Sequence, residues 1–510
     1  MSLLAVDMGS TNCKAIAFSE DGRVLCRKVF SYAAESSHSS STEVAPERFW
    51  QALAAVTQAI AAEVKRDPVE VLAISSHGET IVPVDSRWRV TRPAILNVDN
   101  RAIEEANWLV SEIGKKQIFD VTGLTVHSMY PLAKILWLRK NEPDAYTSSA
   151  QFLALPTYLL TRMGLPAYVD FSLASRFLAF DICNLKWSLD LLSHCELNAG
   201  QFPIAVPAGT IAGTLEARVA NELGLPRSAL VVVGGHDQPC AALGSGVLDT
   251  GRVSASLGTY ECLVSASESP ALSDASLAAN LNTYCHVVPG RYVTLAYFPS
   301  GIMIEWFLHV IACSGETNPA ASFDSLCAAL ERSGPPGPTG LCITPHLLGT
   351  CNPDFDPAAT GVISGIRPTT SRSDLYKGIL EGIACEFASM AELLERASGK
   401  FNDVYISGGG ARSRLGLTLR SSLAARELHL MRCPEAVCLG TAILAGTAAG
   451  KYASLAQAVE QMVQVTETIV PDAAIADSYK AQMEQYQLLY SSLAALRRAQ
   501  ATCSKGERND

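Results

Sequence analysis

The sequence predicts an α/β fold made of two similar halves. Residues 3–8 are an apolar segment that leads into the small-residue turn Gly9-Ser10-Thr11-Asn12, and a second apolar segment follows at 13–19. Residues 253–267 repeat this outline around the pair Gly258-Thr259, close to the middle of the 510-residue chain. Because the same strand, turn and strand occur twice, we infer an internal duplication of one α/β unit.

The other predicted elements follow the same order in each half. The first half gives three strands, a helix and a further strand, at 3–8, 13–19, 23–32, 46–65 and 69–75. The second half gives three strands and a helix, near 253–258, 260–266, 291–297 and 300–312. Pro46 in the first turn and apolar residues at helical spacing support the helix of the first half. We therefore expect one domain at 1–245 and another at 246–510.

Composition and charge narrow the class of protein. Apolar residues make up 48% of the chain and charged residues 18%, as in ordinary globular proteins. A net charge of −10 argues against a nucleic-acid-binding protein. No stretch approaches 18 uncharged apolar residues and no basic segment precedes the first apolar run, so we expect neither a membrane span nor a signal peptide. Fifteen cysteines without a zinc-ligand spacing favour reduced core residues and a cytoplasmic location.

The first hairpin has the features of a phosphate site. Its turn, residues 9–12, offers backbone N–H groups and hydroxyls, and Lys14 adds positive charge. Asp7, just before the turn, is the kind of ligand that Mg2+ shares with waters and phosphate oxygens. Ser256 stands at the corresponding place in the second copy, so a metal-associated carboxylate is expected in the first half only. A plain hairpin has the same pattern, so this motif does not decide alone.

A buried strand at 230–235 ends in two glycines followed by His236, Asp237 and Gln238. Ligands of open α/β sheets lie beyond the carboxyl ends of strands. Asp237 is therefore placed to accept a proton from a hydroxyl that attacks phosphorus. An aspartate here can also cap the next helix, and the two roles are compatible.

Two polar loops and a glycine run complete the candidate residues. His77, Gly78 and Glu79 follow the strand at 69–75, and Asp99 lies in a second loop, a set that suits a polyol; solvated surface loops are the alternative. Residues 404–411 form a strand followed by three glycines and Ala411, which could pack a flat base or ribose against bare backbone. Such a turn is not specific by itself.

Together these motifs resemble the FGGY family of carbohydrate kinases, within the superfamily of actin, sugar kinases and heat-shock chaperone ATPases. Residues 7–11 with Lys14 are similar to the first phosphate motif, and Gly258-Thr259 to the second. Residues 234–237 resemble the segment with the catalytic aspartate, and 408–411 the adenosine motif. The resemblance runs from residue 4 to about 450 and implies two actin-like, ribonuclease-H-like domains with an ATP cleft between them.

The resemblance also implies roles for the candidate residues. ATP would lie on the second domain, and the residues assigned to it are Gly9, Ser10, Thr11, Asn12, Lys14, Gly258, Thr259, Gly301, Gly409, Gly410 and Ala411. Mg2+ would be associated with Asp7, through water. The sugar or polyol would contact His77, Gly78, Glu79, Asp99, Asp237 and Gln238, and Asp237 would act as the base.

The acceptor is less closely defined, because the sequence departs from the family pattern. A ketopentose such as xylulose is the first candidate, with glycerol, erythritol, gluconate and ribulose as alternatives. Gly78 stands where glycerol kinases have an arginine, and the loop 349–353 lacks the two charges usual in the family. Two alternatives are not kinases. One is a non-catalytic actin-like nucleotide-binding module, and the other is a family member that binds sugar without phosphoryl transfer. The resemblance is compatible with a homodimer.

Overall fold

Two large mixed sheets organise the molecule, one in each half of the chain. The computed structural model describes residues 2–32, 35–38, 41–312 and 323–493. The strands of the first sheet are, in spatial order, Ile211–Thr214, Leu230–His236, Val69–Ser76, Ser2–Met8, Asn12–Phe18 and Val24–Ser31. The strands of the second sheet are, also in spatial order, Asn282–Cys285, Tyr292–Pro299, Tyr260–Ser267, Arg252–Leu257, Asp403–Ser407, Glu427–Met431 and Val465–Ile469.

Each sheet is built around the first long strand of its half. Ser2–Met8 pairs antiparallel with the next strand along the chain on one side and parallel with Val69–Ser76 on the other. Arg252–Leu257 pairs antiparallel with Tyr260–Ser267 and parallel with Asp403–Ser407 in the same way. The predicted α/β class and its duplication are therefore confirmed, with strand ends that differ from the predicted ones by one or two residues.

The remaining elements connect or flank the sheets. Short strands pair in small sheets: Glu35–His38, Ser41–Val44 and Ala94–Ile95; Val82–Val84 and Gln151–Leu153; Tyr168–Asp170 and Ile204–Val206; Phe180–Asp181 and Lys186–Trp187; Cys342–Thr344 and Val362–Ser364. The described helices are Pro46–Glu63, Ile103–Glu112, Lys115–Thr122, Pro131–Asn141, Pro143–Ser148, Leu155–Arg162, Phe171–Ser175, Leu189–His194, Ala199–Gln201, Ala217–Leu223, Asp237–Gly244, Asp274–Ala278, Gly301–Phe307, Leu308–Ala312, Phe323–Ser333, Arg372–Ser398, Gly409–Arg412, Arg414–Ala424, Ala436–Ala448, Leu455–Met462 and Ala473–Ser492.

Helix Pro46–Glu63 shows how the sequence specifies an element. Proline is at its first position, where no backbone N–H is needed. Phe49, Leu53, Val56 and Ile60, three or four residues apart, form one buried face against the first sheet. The helix matches the element predicted at 46–65.

The opposite face of the first sheet packs against a helix from the second half. Leu3, Ala5 and Ile16 share a core with Leu439 and Ile443 of helix Ala436–Ala448. This packing means that the first sheet is completed by residues far beyond position 245. The domain division at 245 stays a prediction along the chain, and the hydrophobic cores do not follow it strictly.

Two helices cross closely between the sheets. Helix Asp237–Gly244 contacts helix Ala436–Ala448 through Gly244 and Gly440. A Cβ at Gly440 would overlap the carbonyl oxygen of Cys240, and one at Gly244 would overlap that of Ala436. Only glycine allows the backbones to approach this far. Among the described residues, no helix has the length and apolar character needed to cross a membrane.

Candidate active site

A cavity of about 640 Å3 lies between the two halves, at the carboxyl ends of strands Val69–Ser76 and Leu230–His236. Five of the six residues predicted to contact the acceptor line this cavity, and it is named the acceptor cavity after that prediction. They are His77, Gly78, Glu79, Asp237 and Gln238. The opposite wall comes from the second half and includes Tyr260, Cys262, Asn282, Tyr297 and Phe355. The parallel strands bring the predicted loops together, as expected from the sheet topology.

Asp237 is the first residue of helix Asp237–Gly244 and does not cap it. Its side chain is 25% exposed, so the carboxyl is open to the cavity. Oδ1 has no hydrogen-bond partner among the described residues, although His236 Nε2 lies 3.2 Å away. Burial, then the negative charges of Asp7 and Glu79, raise the pKa of Asp237 to about 8. The site therefore contains a carboxyl that has one oxygen without a hydrogen bond and that gains and loses its proton near neutral pH.

His77 is buried against the first hairpin, and both of its ring nitrogens are in use. Nδ1 lies 2.8 Å from the carbonyl oxygen of Met8, and Nε2 lies 2.6 Å from Thr80 Oγ1. The carbonyl can only accept, so Nδ1 carries the proton and Nε2 accepts from the threonine hydroxyl. Burial lowers the pKa of His77 and keeps the ring neutral. His77 forms part of the cavity wall and fixes the loop, while its nitrogens are committed to the protein.

Glu79 is held by an arginine that the sequence analysis did not identify. Arg176 Nε donates to Glu79 Oε1 at 2.5 Å, and both side chains are almost fully buried. The guanidinium also contacts the rings of Tyr130 and Tyr284, with Cζ at 5.1 and 4.8 Å from their centroids. The pair joins residues 97 positions apart, so no local spacing in the sequence could have indicated it.

Asp99 does not line this cavity, contrary to the sequence prediction. Its carboxylate is fully buried and accepts from the backbone N–H of Thr42 at 2.6 Å. It also accepts from the Arg101 guanidinium at 2.8 to 3.0 Å. Because its oxygens are occupied by these partners, Asp99 holds two loops together and leaves no oxygen facing an acceptor.

The altered loop at 349–353 lies beside the acceptor cavity. Asn352 is buried and donates to the carbonyl oxygens of Ala279 and Asn280 at 3.1 and 2.8 Å. Asp354 and Phe355, immediately after it, line the cavity. The segment that departs from the family pattern thus shapes the wall contributed by the second half.

A second cavity, of about 630 Å3, lies within the second half. Five of the residues predicted for ATP line it: Gly258, Thr259, Gly301, Gly409 and Gly410. A Cβ at Gly409 would meet no atom within 4 Å, so its backbone is open on that side. Ala411 is absent from the lining and packs toward the core of the second half.

Close packing shapes this second cavity. The backbone N–H of Gly301 donates to the carbonyl oxygen of Gly258 at 3.1 Å, which joins the start of helix Gly301–Phe307 to the second hairpin. A Cβ at Gly301 would overlap that same oxygen. Below the hairpin, the buried ion pair between Arg420 and Glu261 links helix Arg414–Ala424 to the sheet. The cavity has glycine backbone on one side and a charged pair on the other.

The first hairpin, residues 9–14, lies outside this second cavity. Ser10 Oγ donates to Asn97 Oδ1 at 3.1 Å, and Asn97 lines the acceptor cavity. Gly9 N–H donates to the Asn12 carbonyl at 2.9 Å, and Asn12 Nδ2 donates to Thr11 Oγ1 at 3.3 Å. The hairpin therefore borders the acceptor side, and its predicted partner across ATP belongs to the other half.

Asp7 and Lys14 face each other across this hairpin as paired residues of adjacent strands. Lys14 forms an ion pair with Glu435, at the start of helix Ala436–Ala448. Burial raises the pKa of Asp7 to about 6 against the opposing effect of Lys14. The negative charge of Asp7 is the largest charge effect on Asp237 and raises its pKa. Two nearby carboxyls, those of Asp7 and Asp237, fit the oxygen ligands that Mg2+ prefers.

Comparison with known proteins gives a match for each half of the chain. Residues 2–244 match the N-terminal domain of the FGGY family of carbohydrate kinases, and residues 253–449 match its C-terminal domain. A xylulose kinase of Escherichia coli is 27% identical over 97% of this chain and 99% of its own length. A xylulose kinase of Bacillus subtilis is 25% identical over 96% of both chains.

A solved xylulose kinase structure from Brucella ovis has the same fold. It superposes with a TM-score of 0.86 at 24% identity, covering 97% of this chain and all of the other. The two matched domains carry the two hairpins, and the cavities lie where the matched halves present their strand ends. The match extends over both halves and most of the length, and on this ground the chain belongs to the FGGY family of carbohydrate kinases.

Proposed function

We propose that this ATP-dependent carbohydrate kinase phosphorylates a hydroxyl of a ketopentose, with xylulose as the first candidate. The relatives from E. coli and B. subtilis, which match over nearly their full length, are named as xylulose kinases. The observation that carries the proposal is Asp237, whose Oδ1 is unpartnered and whose carboxyl opens into a cavity with polar walls. A hydroxyl held there would lie against a base able to take its proton.

In the proposed mechanism, the acceptor enters between the halves and contacts Glu79, Asp237 and Gln238. Asp237 accepts the proton of the attacking hydroxyl as its oxygen bonds to the γ-phosphorus of ATP, and the bond from this phosphorus to the bridging oxygen of the β-phosphate breaks to release ADP. ATP lies in the cavity of the second half, with its adenosine against Gly409 and Gly410. Closure of the halves excludes water and so limits hydrolysis of ATP.

We further propose that Asp7 holds Mg2+, directly or through water. A bound Mg2+ would neutralise charge that develops on the transferred phosphoryl group. Lys14 would keep the Asp7 carboxyl ionised, because its positive charge opposes the effect of burial on that pKa. We also propose a cytoplasmic location, which the thirteen free cysteines among the described residues support. The family resemblance supports a homodimer.

A substrate panel tests the proposal. Purified protein with ATP and Mg2+ is given xylulose, ribulose, glycerol, erythritol or gluconate, and both ADP and phosphorylated product are measured. We expect one ketopentose to stimulate ADP formation with an equal amount of sugar phosphate. If glycerol or gluconate is the only compound phosphorylated, that compound replaces xylulose as the proposed acceptor.

The alternative that the protein is not an enzyme predicts a different result in this panel. A non-catalytic nucleotide-binding module would bind ADP but give the same slow ATP hydrolysis with every member of the panel. The intact Asp7 and Asp237 and the acceptor cavity favour the kinase.

A further inference from the structure

Arg176 has a hydrogen-bonding atom that the folded protein leaves unused. The residue is only 5% exposed, and its Nη1 is buried without a hydrogen-bond partner among the described residues. Leaving a buried charged donor unsatisfied is costly. Arg176 also lines the acceptor cavity, so a molecule bound there can supply the missing acceptor atom.

The position of the guanidinium is fixed on several sides. Its Nε donates to Glu79 Oε1 at 2.5 Å, and the rings of Tyr130 and Tyr284 lie with their centroids 5.1 and 4.8 Å from its Cζ. Gly78 makes room for it, because a Cβ at residue 78 would come within 3.0 Å of Arg176 Cγ. A donor held this rigidly loses little entropy when it binds a ligand.

The charges around the cavity indicate what kind of ligand fits. The positive charge of Arg176 is already balanced by Glu79, in a pair that is almost fully buried. Asp354 adds a negative group to the wall, opposed by Lys115, while burial keeps His77 and His236 neutral by lowering their pKa values. Asp237, whose pKa is raised to about 8, carries at most a partial negative charge at neutral pH. No surplus of positive charge remains for a carboxylate, so an uncharged oxygen is the better partner.

We propose that Arg176 determines acceptor specificity by donating from Nη1 to an oxygen of an uncharged sugar, and that its pairing with Glu79 disfavours aldonates. The inference rests on the proposed function of the cavity and names the chemical class of its acceptor. It assigns the guanidinium that binds the acceptor to Arg176, the residue that caps the C-terminus of helix Phe171–Ser175, rather than to the loop at residue 78.

Binding measurements without turnover test this inference. Dissociation constants of xylulose, gluconate and ADP are measured by calorimetry for the wild type, Arg176→Lys and Arg92→Lys. Arg92 is a matched control because it is also a buried arginine paired with glutamates, Glu43 and Glu142, but lines neither cavity. Lysine keeps the charge opposite Glu79 but cannot pair with it and reach the acceptor at once.

We expect Arg176→Lys to weaken xylulose binding by about 10- to 100-fold and to leave ADP binding within about twofold. Arg92→Lys should leave both constants unchanged. Xylulose binding within about twofold of the wild type in Arg176→Lys, or equal weakening of ADP and xylulose, would overturn the assignment.

A second variant tests the charge argument. Glu79→Gln leaves the Arg176 charge unbalanced, so the ratio of gluconate to xylulose affinity should rise by about tenfold or more. A wild type that prefers gluconate would refute the inference while the kinase function stands. A wild type that binds and phosphorylates no sugar or polyol would instead refute the proposed function, and the inference with it.

Discussion

The setting of the Asp237 carboxyl opposes ionisation and suits proton transfer. Burial and the charges of Asp7 and Glu79 raise its pKa, while Oδ1 forms no hydrogen bond among the described residues. The folded protein thus gains little stability from this side chain. A base whose pKa is near the working pH accepts a proton readily and is still deprotonated often enough to act. The arrangement is easier to explain by chemistry than by helix capping, which the structure does not show at this position.

Removing the base is the first prediction. Asp237→Asn keeps the shape of the side chain but cannot accept a proton, so turnover should fall by about 100- to 10,000-fold. ADP binding should stay close to that of the wild type, and the melting temperature should not fall below that of the wild type. Steady-state kinetics and calorimetry measure both effects, and near-normal turnover would remove Asp237 from the mechanism.

The pKa of Asp237 predicts how activity and stability depend on pH. If Asp237 is the base, it acts only when ionised, so kcat/KM should rise with pH and level off above about 8. Stability should change in the opposite direction. The folded state favours the protonated carboxyl, so its contribution is complete below the unfolded pKa of about 3.9 and is lost as pH rises through about 8.

Asp237→Asn checks the sign of this linkage. The asparagine variant lacks the titration, so its melting temperature relative to the wild type should be higher at pH 9 than at pH 4. Parallel melting curves for the two proteins across this range would contradict the assignment of the raised pKa to Asp237.

Asp99 provides the contrasting carboxylate. Asp99→Asn breaks the pair between the fully buried Asp99 carboxylate and Arg101, so the free energy of unfolding should fall by about 3 to 5 kcal/mol. Because Asp99 does not line the acceptor cavity, the KM for the sugar should stay within about twofold when measured well below the melting temperature. A large rise in this KM without loss of stability would restore Asp99 to the binding site.

Among the elements, the crossing of helices Asp237–Gly244 and Ala436–Ala448 connects the fold to the site. The first helix begins with Asp237, and the second packs on the first sheet. Their contact depends on Gly244 and Gly440, each of which has a backbone atom where a Cβ would lie. A change at the crossing therefore moves the helix that carries the base.

Gly440→Ala should destabilise the protein by about 1 to 3 kcal/mol through overpacking, and lower turnover more than ADP binding. Gly378→Ala is the matched control in helix Arg372–Ser398, because its added Cβ would meet only side-chain atoms of Leu341 and Ile343, at 3.1 Å. Chemical denaturation and kinetics compare the two variants. Equal behaviour would show that the crossing tolerates a methyl group.

The elements also show how far the sequence predicts this molecule. The hairpins around residues 9–12 and 258–259 and the helix at Pro46–Glu63 carry local signals, namely small-residue turns, a leading proline and regular apolar spacing. The strand ends then bring His77, Glu79 and Asp237 into one cavity, as the topology of parallel strands requires. These features depend on residues that are close in sequence, or on the rule that the carboxyl ends of parallel strands lie at the same edge of a sheet.

Other features depend on distant contacts. Arg176 meets Glu79 across 97 positions, and Asp99 turns away from the cavity because Arg101 and the Thr42 backbone bind it. Helix Ala436–Ala448 joins the core of the first half for the same kind of reason. Propensity and spacing contain no information about such pairings, because their free energy comes from packing in the folded chain.

At the scale of the whole molecule, the proposed reaction needs residues from both halves, because ATP and the sugar are assigned to different cavities. The cavity proposed to bind ATP is lined by residues of the second half, while Asp7, Lys14 and Asp237 belong to the first. The first hairpin borders the acceptor cavity instead of the nucleotide cavity. Its predicted contact with the phosphates of ATP therefore depends on closure of the halves.

Asp7→Asn tests this dependence. If Asp7 acts on Mg2+ and phosphates only after closure, the variant should bind ADP without Mg2+ and xylulose as the wild type does, while turnover falls by about 100-fold or more. Ser256→Ala is the matched control, since Ser256 stands at the equivalent place in the second sheet, and its turnover should change little. Calorimetry for each ligand and single-turnover kinetics separate these effects. Equal loss of ADP and xylulose binding in Asp7→Asn would indicate damage to the fold, and unchanged turnover would remove the first hairpin from phosphate binding.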